Sequence, residues 1–154
     1  MGRLATLVPS LLLLTCASPT AAVRDVSAAG DDPNCQSAEQ FSTGMEHLGS
    51  DGRFTVRIDE ATPAPPLLGS NTWRLSVSQG GVPSVGVVVV VEASMPTYHH
   101  GTLPKSRRSV TDPEGKVIID SIQLFRPGLW NVAVYVTGDD GHSDLLAFRF
   151  CIAP

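Results

Sequence analysis

The feature that most constrains this chain is a period of two. Apolar residues alternate with polar ones in short runs, and no helical period lasts longer than a turn. Phe54, Val56 and Ile58 alternate with Arg53, Thr55, Arg57 and Asp59. Trp73, Leu75 and Val77 alternate with Thr72, Arg74, Ser76 and Ser78. Trp130, Val132, Val134 and Val136 alternate with Asn131, Ala133, Tyr135 and Thr137. Leu146, Phe148, Phe150 and Ile152 close the chain opposite Leu145, Ala147, Arg149 and Cys151. Successive side chains of a strand point to opposite faces, so each run reads as a half-buried strand. Turn signals separate the runs: QGGVPS at 79–84, DPEG at 112–115, RPG at 126–128 and GDDGH at 138–142.

Three segments modify the pattern. Val85 to Ser94 is apolar on both faces, with five consecutive valines at 87–91. Val87, Val89, Val91 and Met95 are expected to face the opposite sheet. Val88 and Val90 are then expected to be covered by the lead segment or to mark a partner surface. A short strand is expected around Arg108–Thr111. Val117 and Ile119 share one phase, Asp120-Ser121 shifts it, and Ile122 and Leu124 take over. The connection ATPAPPLLGSN at 61–71 is kept extended by its prolines. About seven strands separated by turns predict an all-β chain, an immunoglobulin-like antiparallel β-sandwich. Trp73 and Trp130 fall on core parities and are expected to anchor it.

The N-terminus has a different texture. Arg3 is the only charge before residue 23, and Leu4–Thr15 is an apolar run of 12 interrupted by Pro9. A membrane-spanning helix needs about 20 such residues. Residues 1–22 therefore read as a signal peptide. Two processing routes stay open: cleavage after the small residues Thr20 and Ala22, or a lipoprotein signal ending before Cys16, which would carry a lipid anchor. Either route exports the chain, to the periplasm or as an outer-membrane lipoprotein. Residues 23–50 form a polar lead segment, and 51–154 the sandwich domain. Without residues 1–22 the charges number 10 positive against 15 negative. That balance argues against a nucleic-acid partner, and membrane contact is expected only through the possible lipid anchor. Cys35 and Cys151 are the cysteines left in an oxidising compartment, which predicts a disulfide between them. Cys151 has outward parity, so the bond would pin the lead segment across the outside of one sheet.

The stretches PAPPLLGSNTWRLSV, GVVVVVEASMPTYHHGT, GKVIIDSIQLFRPGLWNVAV and FRFC resemble the YtkA-like domain of bacterial exported proteins. The resemblance covers roughly residues 51–152. It rests on Asn71, Trp73, Gly86, Pro127, Gly128 and Trp130, and on Met95-Pro96 followed by His100-Gly101. It implies an immunoglobulin-like sandwich without assigned activity, and copper as an association. The family loop resembles Met-Pro-x-His-Gly-His-Gly. Here Tyr98 stands at the first histidine, His99 at the glycine, and Arg126 where many members have methionine.

Thioether and imidazole are ligands that suit Cu(I). Met95, His99 and His100 form the candidate metal set, with Met45 or His47 as further donors if the lead segment passes near. The bland reading of the same residues is a core-capping Met95 beside two solvated histidines. No nucleophile elbow, zinc-peptidase helix or phosphate loop occurs, so catalytic residues are expected to be none. The expected function is a non-enzymatic binding module of the envelope, engaging an envelope protein or a copper ion. A copper carrier and a ligand-free structural spacer are the alternatives.

Overall fold

The computed structural model describes residues 33–97, 100–101 and 106–154. Residues 1–22 with Cys16, and His99, lie outside the described residues. After a 3-10 turn at Pro33–Ser37 come β1 (Glu46–Leu48), β2 (Thr55–Thr62), β3 (Gly69–Gln79), β4 (Val82–Pro83), β5 (Val88–Met95), β6 (His100–Gly101), β7 (Arg107–Val110), β8 (Lys116–Leu124), β9 (Gly128–Thr137) and β10 (Ser143–Ile152). Seven of the described strands have four residues or more, matching the alternating runs. The strand expected from Val85 begins three residues later, because Gly86 turns the chain at a φ of 71°.

All pairings are antiparallel. One sheet is β1-β2-β3, with β4 and β8 both pairing β3; the other is β10-β9-β5, with β6 and β7 both pairing β5. The sheets pack face to face as an immunoglobulin-like sandwich. The core is the inward set of every run: Phe54, Val56 and Ile58 from the first, Trp73, Leu75 and Val77 from the second, and Trp130 through Val136 and Leu146 through Ile152 at alternate positions. Trp73 meets Phe148 and Phe150 edge-on, with centroids 6.2 and 5.7 Å away. The Trp130 indole N–H donates to the Arg126 carbonyl at 2.9 Å, which fixes the turn between β8 and β9. The phase shift in β8 is a bulge: the register against β3 slips between Asn71 and Trp73, and Ser121 takes a φ of 54°.

The Cys35–Cys151 disulfide is formed, with Cα atoms 5.3 Å apart. Its effect on the lead segment differs from the expectation in one respect. The 3-10 turn lies against β9 and β10, over the Leu129/Cys151 end of the outer face. From there the segment leaves the face and runs along the free edge of β10. Glu39 N–H donates to the Arg149 carbonyl at 2.7 Å, and Ser50 N–H donates to the Leu145 carbonyl at 2.8 Å. On its other side it joins β2, through Gly44 N–H to Ile58 O and Ile58 N–H to Met45 O. An uncovered strand edge offers unpaired backbone groups, which explains why edge cover outcompetes face cover here.

Candidate functional site

Met95 ends β5 and is completely buried, with its side chain in the core between the sheets. The chain then reverses, and His100 stands opposite Met95 while Gly101 stands opposite Ser94. Of His100 only this backbone register is described. The described residues Pro96–Thr97 and His100–Gly101 thus lie at the end of β5, at one pole of the sandwich. Among the described residues, no three His, Cys, Asp or Glu side chains come together as a metal-holding group. The thioether of Met95 faces the interior, so it can reach a metal ion only by turning out of the core.

The further donors considered in the lead segment are committed elsewhere. Met45 packs against the core. His47 Nδ1 lies 2.8 Å from the Ala147 carbonyl, Nε2 lies 2.8 Å from Glu39 Oε2, and the ring stacks on Phe148 at 4.6 Å. Carbonyl and carboxylate both accept, so the ring serves both only when both nitrogens carry hydrogen. Glu39 completes the clasp by accepting from Arg149 N–H at 3.1 Å. Spacing in the sequence gives no hint of this arrangement, because the partners lie about 100 positions apart.

A second polar centre holds the opposite pole. Asp144 is buried and accepts from the backbone N–H groups of Asp51, Arg53, Phe54 and Leu145, at 2.9 to 3.1 Å. Desolvation pushes its carboxyl upward in pKa. The N–H groups of Asp51, Phe54, Arg53 and Leu145 outweigh that and hold it below the ordinary 3.8. A Cβ on Gly49 would collide with this carboxylate, so only glycine fits there. Nearby, Asp140 is lowered by the Arg53 guanidinium and then by the His142 amide. Arg53 also lies over the Phe54 ring at 5.0 Å. The Asp144 carboxylate binds the turn 49–54 to β10, and the Arg53–Asp140 pair ties the same turn to the loop before β10.

The outer face of the β10-β9-β5-β7 sheet is different. Its cross-strand rows are Leu145–Tyr135–Val90–Arg108 and Ser143–Thr137–Val88–Val110. Val88 and Val90 are half-buried beneath these neighbours, as are Thr137 and Tyr135. Val110 is 54% exposed and Leu145 39% exposed. The 3-10 turn sits at the other end of this face, over Leu129 and Cys151.

No protein-family model and no curated protein matches the chain. Among solved structures it is similar to the PmoD soluble domain from Methylocystis sp. ATCC 49242 (Rockwell), at 11% identity and a TM-score of 0.45, over 71% of this chain and 97% of that one. The fold assignment rests on strand order and packing, not on this likeness.

Proposed function

We propose that the chain is an exported, non-enzymatic binding module of the bacterial envelope, of YtkA-like type, which engages a protein partner through the outer face of the β10-β9-β5-β7 sheet. The observation that carries this reading is the pair of valine positions, Val88 and Val90. They face away from the core: Val88 stands beside exposed Val110, and Val90 lies in one row with exposed Leu145, across Tyr135, while the lead segment occupies a different place. A sheet face of this kind loses water readily on contact with a complementary surface. The disulfide supports export, since such bonds persist in oxidising compartments. The experiment is site-specific photo-crosslinking in the native envelope, with the probe at Val110 and Leu145 and, as control, at Arg74 on the opposite sheet. The reading expects one discrete adduct from the first two positions and none from the third. Adducts from Arg74 alone would move the site to the other sheet.

One observation favours a second reading. His100 stands opposite Met95 in the β5–β6 register, so thioether and imidazole residues meet at one pole. Met95, His99 and His100 would then hold Cu(I), with Met95 turned out of the core. The test is a Cu(I) titration against a competing chelator. Wild type must bind at least tenfold more tightly than the Met95→Ala, His99→Ala, His100→Ala triple variant; equal affinities leave a loop without copper.

A further inference from the structure

We infer that the lead segment is a releasable cap on the β10 edge, and that reducing the Cys35–Cys151 disulfide lets β10 pair with β10 of a second copy of this chain. β10 is ten residues long and pairs with β9 from Ser143 to Ile152 without a register shift. A long, flat, regular edge is the kind that recruits another strand. In this structure four of its outward backbone groups are occupied by substitutes for a strand. The carbonyls of Leu145, Ala147 and Arg149 accept from Ser50 N–H, the His47 ring and Glu39 N–H, and the Arg149 amide donates to the Glu39 carboxylate. Two of these four contacts use side chains, so the cap imitates a strand without forming a continuous ladder with β10.

The covalent lock is accessible. Cys35 and Cys151 are both half-exposed. A protein dithiol would open it in two steps. One thiolate attacks a cystine sulfur and forms a mixed disulfide. The second thiol then displaces it, leaving two cysteine thiols and an oxidised reductant, with two electrons and two protons transferred.

The freed edge is self-complementary. Antiparallel pairing about a two-fold axis at Ala147 sets Leu145 opposite Arg149 of the other copy, and Leu146 opposite Phe148. No like charges then face each other on the outward side, where arginine directly opposite arginine would be repulsive. The product is one sheet running from β7 of one copy through the paired β10 strands to β7 of the other.

The experiment is light scattering on the full mature chain, oxidised and after dithiol reduction, with circular dichroism to follow the fold. The oxidised protein is expected to be monomeric. The reduced protein, and a Cys35→Ser, Cys151→Ser variant, should keep their β signature and double in mass. Leu145→Arg in the cysteine-free background should abolish the dimer, since it meets Arg149 of the partner. Adding Arg149→Glu should restore it, which mere stickiness of a loosened protein would not reproduce. A reduced protein that stays monomeric, unfolds outright, or associates regardless of these charges overturns the inference.

Discussion

The two long edges of this sandwich are protected in opposite ways. On one side, β10 is regular along its length and is covered by a separate segment, held by a disulfide and by Glu39, His47 and Ser50. On the other, β8 carries the bulge at Asp120-Ser121, and the Arg107 guanidinium reaches across to it, donating to the Ser121 carbonyl at 3.0 Å. A bulge twists an edge away from pairing, so a bulged edge guards itself. A flat edge has no such protection and needs a cover. The cover adds something the bulge lacks, because what is pinned by a reducible bond can be unpinned.

The largest expected effect comes from cutting the cap's covalent lock. Closing a loop across a sequence separation of 116 residues constrains the denatured chain. The Cys35→Ser, Cys151→Ser variant should lose about 4 kcal/mol in chemical unfolding by the chain-entropy model. Breaking the bulged edge instead, with Arg107→Ala, should cost no more than about 1 kcal/mol, since it removes one hydrogen bond from a half-buried side chain. Comparable losses from the two would erase the contrast between the edges.

Next in size is the anchor that holds the far end of the cap. Asp144→Asn leaves backbone N–H groups facing an amide NH2 and should cost about 3 kcal/mol. Gly49→Ala should cost a similar amount, because the added methyl displaces the same carboxylate. The Asp144 contribution also has a defined pH dependence. Its folded pKa lies below the unfolded value, so its stabilisation is present above the ordinary carboxylate range and fades as pH falls through that range toward the folded pKa. The stability gap between wild type and Asp144→Asn should therefore narrow in acid. A gap that widens on acidification would reverse the assigned sign.

Smaller still is Glu39→Ala, which removes the carboxylate shared by the Arg149 amide and the His47 ring while leaving the disulfide in place. About 1 to 2 kcal/mol is expected, read as a shift in the denaturant midpoint. His47→Ala should fall in the same range. The double variant should lose less than the sum, because the two residues form one clasp.

These contrasts also show what a sequence can and cannot display. The alternating runs name the strands, and the valine block correctly puts Val87, Val89, Val91 and Met95 inward. The phase change at Asp120-Ser121 is visible in the letters as two apolar sets out of step, and it is a bulge in the fold. Periodicity carries this information because each strand reports on its own two faces. Cover of an edge by a separate segment carries no such local record. Glu39, His47 and Asp144 look like ordinary polar residues, and their roles depend on strands that meet only after folding. Cys35 and Cys151 are the exception: chemistry and compartment pair them regardless of distance. The Met95 loop lies between these cases. Its place at the pole follows from Met-Pro and glycine, whereas the depth of the Met95 side chain is set by the opposite sheet.

The central claim is that a disulfide-held cap covers the β10 edge, and amide hydrogen exchange resolved along β10 tests it most directly. The amides of Phe148 and Phe150 lie on the β9 side and belong to the sheet ladder. The Arg149 amide points outward to Glu39. In the oxidised protein all three should exchange slowly. In the Cys35→Ser, Cys151→Ser variant at a concentration low enough to keep it monomeric, Arg149 should accelerate at least tenfold while Phe148 and Phe150 remain slow. Unchanged protection of Arg149, or an equal acceleration of all three, would contradict the account.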